Sequence, residues 1–99
     1  MGFFEEQDNQ GMIDQLGEPI TIGGVTANAV VRTPDEELLR SDAELAPLIG
    51  RIYEFVMKTG AFPALATGVS VTRGTETYLV RRITTTGQGA FTHALGALV

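Results

Sequence analysis

The stretch VSVTRGTETYLVRRI, residues 69–83, decides what kind of protein this is. It holds Arg73, Arg81 and Arg82, three of the seven basic residues in the chain. A phosphate loop, a nucleic-acid patch and a plain β-hairpin are the competing readings. Val69 and Val71 share one face, Tyr78 and Val80 alternate on the return, and Arg73-Gly74-Thr75 lies between them. That is the period-two alternation of two paired strands around a tight turn. Ile83 is out of phase with Tyr78 and Val80, and a one-residue slip of this kind predicts a β-bulge near Arg81 and Arg82.

The same pattern extends on both sides. Ile20 and Ile22 alternate with Thr21, Gly23-Gly24 is a two-residue hairpin signal, and the β-rich run Val25 to Arg32 follows. RIYEFVMK, residues 51–58, carries apolar side chains on both faces and reads as a strand partly buried on both faces. Gly60 and Pro63 punctuate the connection after it. Residues 84–89 are polar and contain glycine, which predicts a turn, and Phe91, His93 and Leu95 alternate in a last strand. The fold expected is mainly β: a small barrel or sandwich of five to six short antiparallel strands. At 99 residues the chain makes one domain with a single core.

Two segments break the β pattern. Between Phe3 and Leu16, Met12, Ile13 and Leu16 have the spacing of one helix face, and Gly17 can cap its end, so an N-terminal helix or mobile arm over 1–16 is expected. Phe3 and Phe4 stand in an otherwise polar stretch and could dock on the domain or on a neighbour. The connection 33–50 contains two capping boxes, Thr33-Pro34-Asp35-Glu36 and Ser41-Asp42-Ala43-Glu44. Pro47 and Gly50 limit helix length, so a short helical insertion is expected there. Long connections in compact domains tend to be functional or mobile.

Charge is unevenly spread. The net charge is −5, with −8 over residues 1–50 and +3 over 51–99. Such a chain is suited to head-to-tail association of unlike faces, although ordinary surface scatter also produces such a split. The overall negative charge opposes binding to a polyanion. Arg73, Arg81 and Arg82 with Tyr53 and Tyr78 are the residues a nucleic-acid surface would have to use.

Sites for chemistry are thin. No P-loop is present, and Gly87-Gln88-Gly89 lacks the third glycine and the helix of a dinucleotide motif. The single histidine, His93, sits in an expected strand, and Ser41 is better explained as a cap than as a nucleophile. Asp35, Glu36, Glu37, Asp42 and Glu44 are dense but lack the calcium-loop spacing, and acids in a first helical turn favour the dipole. They read as a solvated face or an electrostatic docking surface. There is no cysteine, so no disulfide or thiolate zinc site is expected, as suits a cytosolic product. No apolar run reaches membrane-span length, the acidic start MGFFEEQDNQ does not read as a signal peptide, and Glu6 stands where a myristoylation motif wants Ser or Thr.

Three stretches, in order, resemble the lambda-type head–tail joining (stopper, or head completion) family of long-tailed bacteriophages. They are LGEPITI at 16–22, IYEFV at 52–56 with Gly68-Val69-Ser70-Val71, and GTETYLVRRI at 74–83. Val69 follows Gly68 where the family often has Asp. The resemblance implies a non-enzymatic virion protein without cofactor or metal, forming a ring, usually a hexamer, beneath the portal and adaptor. It closes the channel holding packaged DNA and presents a surface to the tail terminator or tail tube, in the virion neck assembled in the host cytoplasm. A tail terminator or adaptor of the same neck, or a small ligand- or nucleic-acid-binding barrel, are the alternatives. In a ring of this kind, Phe3, Phe4, Asp35, Glu36, Glu37, Asp42, Glu44, Arg51, Arg81 and Arg82 are the candidate interface residues. The acids of 33–50 would face Arg51, Arg81 or Arg82 of the next subunit.

Overall fold

A computed structural model describes residues 17–99. Six antiparallel strands close into a barrel: β1 (Glu18–Ile22), β2 (Val25–Arg32), β3 (Ile52–Lys58), β4 (Ser70–Arg73), β5 (Glu76–Thr86) and β6 (Phe91–Leu98). Their order around the barrel is β1-β2-β3-β6-β5-β4, with β4 returning to β1. Of the two architectures expected, the barrel is the one formed. The N-terminal helix expected over Phe3 to Leu16 lies outside the described residues.

Alternation explains how each strand is placed. In β3, Phe55 and Met57 point into the barrel, while Ile52 and Val56 point outward, Ile52 buried under Leu39 and Leu45 and Val56 packed with Val30 and Phe91 of the adjoining strands. That accounts for the two-sided apolar character of this strand. The interior is filled by Ile20, Ile22, Phe55, Met57, Val71, Tyr78 and Val80, each less than 2% exposed. Tyr78 lies edge-on to Phe55, with ring centroids 5.1 Å apart, and to Tyr53 at 5.4 Å. Edge-to-face contact sets the positive ring edge against a negative ring face. The loop between β3 and β4 plugs one end with Phe62.

Gly23-Gly24 joins β1 to β2 as expected, with φ of 59° and 82°. Positive φ at both central residues is what a two-residue hairpin turn needs. Gly74-Thr75 joins β4 to β5, and the bulge appears as a register shift between Val80 and Arg82. Arg81 is the extra residue, which moves Ile83 onto the inward phase where it packs against the core.

The connection 33–50 forms one short helix, α1 (Glu36–Arg40), and a 3-10 turn over Ala46–Leu48. The two capping boxes are not used as the sequence suggests. Asp35, not Thr33, caps α1, its side chain accepting from the Glu37 N–H. Thr33 follows directly on β2 and precedes Pro34, which biases it toward extended backbone. In the second box Asp42 accepts from the N–H groups of Glu44 and Leu45, while Ser41 donates back to the Leu38 carbonyl.

Candidate functional site

The segment 33–50 lies on the outside of the barrel. Leu39 and Leu45 turn inward and bury against Ile52, with Leu48, Ile49 and Leu95 around them. This small cluster is separate from the barrel interior, so the segment is a second layer held on one face. Leu38, on the opposite side of α1, is 70% exposed. A groove of about 460 Å³ runs beside α1 over Arg32, Asp35, Leu38, Glu54 and Leu95.

An ion pair fastens this layer just past α1. Asp42 Oδ2 meets Arg82 Nη2 at 2.6 Å, on the strand residue after the bulge. The Asp42 carboxyl is held below its ordinary value, first by the Glu44 N–H and then by Arg82. The acidic and basic halves of the sequence therefore meet within one chain at this point. Glu36 pairs with Arg40 one turn along α1 at 3.4 Å. Arg51 donates to the Leu98 carbonyl at 3.1 Å. Glu37 and Glu44 are exposed with no side-chain ion pair, and Arg81 is exposed with no polar partner among the described residues. Phe3 and Phe4 lie outside the described residues.

Two further constellations were not visible in the sequence. Across the outer face, Arg32 pairs with Glu54 through its Nε. Glu54 Oε2 lies 3.3 Å from His93 Nδ1, and His93 Nε2 lies 2.8 Å from Thr86 Oγ1. This row steps through β2, β3, β6 and β5. A hydroxyl, an imidazole and a carboxylate in that order are the parts of a nucleophilic triad. The chemistry is blunted here because Arg32 also claims the carboxylate. The groove, moreover, abuts the Arg32–Glu54 end of the row. Thr86, where a substrate would have to sit, is on an exposed strand at the other end. The arrangement is suited to stitching neighbouring strands across their faces.

The second constellation closes the barrel seam. Arg73 pairs with Glu18 through Nε and also through Nη2, at 3.3 Å to Oε2. Its Nη1 donates to the Tyr78 hydroxyl at 3.3 Å, and that hydroxyl donates to Glu76 at 3.0 Å. Glu18 is the main cause of a raised Arg73 pKa, and burial pushes the Tyr78 phenol up. Arg73 is thus committed to the barrel itself, as are Tyr53 and Tyr78. Of the three arginines a nucleic-acid surface would need, Arg81 is the one whose side chain has no polar partner among the described residues.

Among the described residues no three His, Asp or Glu side chains gather closely enough to hold a metal ion, and no helix is long and apolar enough to cross a membrane. No family model, curated protein or solved structure matches the chain.

Proposed function

We propose that the chain is a structural component of a phage head–tail connector, forming a ring below the portal and adaptor that closes the DNA channel and receives the tail. The observation that supports this reading is where the three resembling stretches fall. LGEPITI leads into and forms β1, IYEFV lies in β3, Gly68 to Val71 leads into β4, and GTETYLVRRI runs from the turn into β5. They fall on four of the six walls of one closed barrel rather than on scattered turns. A barrel filled by its own side chains acts as a rigid block, and its work is done on the outside. The outer layer 33–50 and the rim around Arg81 are the surfaces such a block would offer its neighbours.

Native mass measurement and electron microscopy of the full chain test this reading, alone and with portal–adaptor complexes of the source phage. Closed rings with an open channel, seated on the adaptor, are expected. A single chain at every concentration, with no binding to the adaptor, would overturn it.

A further inference from the structure

The β5 strand outruns its partner on one side. The last β4–β5 pair is Ser70 with Leu79. Just beyond it, Val80 still turns both backbone groups to that side: its carbonyl accepts from Gly68 N–H and its N–H donates to the Val69 carbonyl, each at 2.9 Å. The extra residue at Arg81 then shifts the phase by one, so Ile83 and Thr85 aim their N–H and C=O groups the same way. No backbone group of the described residues meets them there. Among the described residues, 83–86 therefore form an open strand edge, ordered on its other side by β6 and flanked by the bulge. An open edge is a template for another strand.

We infer that this edge receives the N-terminal segment around Phe3 to Asp8 of a neighbouring copy as an added strand. Three observations select that occupant. The first is charge: residues 1–16 hold Glu5, Glu6, Asp8 and Asp14 and no Lys or Arg, while the edge begins at Arg81, whose side chain has no polar partner among the described residues. The second is alternation. A strand containing Phe3-Phe4 would set one ring on the inward side, beside the half-buried Ile83, and the other outward. The third is placement. Glu18, where β1 begins, is tied to Arg73 at the start of the β5 hairpin. Thr85 is about 30 Å further along β5 at ordinary strand rise. Position 18 therefore lies at the end of the barrel away from the edge, so the edge stands clear for a strand offered by a head-to-tail neighbour. The inference rests on the ring reading for the presence of a neighbour, and goes beyond it by assigning the contact.

The chain has no cysteine, which makes the test clean. Full-length Phe3→Cys, Phe4→Cys and Glu5→Cys proteins are each mixed with Thr85→Cys protein and oxidised, with Glu44→Cys as the control acceptor. A mixed disulfide dimer with Thr85→Cys and not with Glu44→Cys is expected. Thr85→Pro removes one edge-facing N–H without touching the β6 ladder, and is expected to lower association about tenfold, the scale of a lost hydrogen bond with steric obstruction. Multimers by native mass with no mixed disulfide in any register would overturn the arm contact and leave the ring reading standing. A mixed disulfide from a chain that never exceeds a dimer would support the contact and overturn the ring. Neither multimer nor disulfide overturns both.

Discussion

Asp42 and Arg82 stand 40 residues apart and meet at 2.6 Å, joining the acidic outer layer to the strand position just past the β5 bulge. The pair does two things at once. It holds 33–50 down on the barrel just past the C-terminal end of α1, and it uses up one of the two arginines at the bulge. Asp42 also organises its own turn through the Glu44 and Leu45 N–H groups. Protonating one carboxylate therefore removes both the turn and the tie.

The sign of the resulting pH dependence follows from the depressed Asp42 pKa. The ordinary value is 3.8, and the folded one is lower. Its stabilisation is complete above the unfolded value and is lost as pH falls through the folded one. Amides of Leu39 and Leu45 are expected to lose hydrogen-exchange protection on acidification below about pH 4, ahead of the barrel amides. In Asp42→Asn the same amides should be less protected at neutral pH and should lack the acid step. Unchanged protection in this variant would sink the assignment.

The two leucines of α1 give a sharp contrast. Leu39 is 4% exposed and packs on Ile52 and Leu45, whereas Leu38 is 70% exposed. Leu39→Ala is expected to cost about 2–5 kcal/mol in denaturant unfolding, and Leu38→Ala to stay within about 0.5 kcal/mol. Equal costs would mean that the helix face is reversed.

Gly96 is required by contact rather than by a turn. A Cβ there would lie 3.0 Å from Phe55 Cε2 and 3.2 Å from Tyr78 Cβ. Both rings are fully buried and braced edge-to-face, so neither can retreat cheaply. Gly96→Ala is expected to destabilise by about 1–3 kcal/mol, the usual cost of overpacking. A stabilised variant would show that the β6 backbone has slack.

The β1–β4 seam rests on a single register pair, Thr21 with Thr72, beside the Arg73–Glu18 fork. Arg73→Lys keeps the charge but cannot reproduce two parallel contacts. Faster exchange of the β1 and β4 amides is expected, with the β3–β6 amides unaffected. Exchange rising everywhere would mean that the seam is not a separate opening unit.

The strands, the tight Gly turns and even the bulge were legible because each leaves a local mark, whereas the β1–β4 and β3–β6 pairings that close the barrel leave none. Ile83 falling out of phase with Val80 is visible without any knowledge of the partner strand. Capping was less legible. Thr33 and Asp35 are both good caps, and the choice between them depends on where β2 lets the chain go. The Arg32–Glu54–His93–Thr86 row was hidden altogether, because it exists only through three strand registers at once. Likewise, an acidic and a basic half of a sequence say nothing about distance in space. Here Asp42 reaches back to its own Arg82.

That last point separates two arginines which look equivalent in the sequence. Arg82 is engaged within the chain, and Arg81 has no polar partner among the described residues. Arg82→Glu places two acids face to face and is expected to lower the thermal midpoint of the isolated chain, whether or not it associates. Arg81→Glu should leave that midpoint unchanged, since an exposed charge without a partner contributes little to folding. If Arg81 serves a contact between copies, its reversal should instead weaken association and alter its dependence on salt, because rim charges act through screened attraction. Thermal melts below the association threshold, paired with sedimentation across a salt series, read the two effects apart. An Arg81→Glu variant that associates like the parent at every salt concentration would remove Arg81 from the interface.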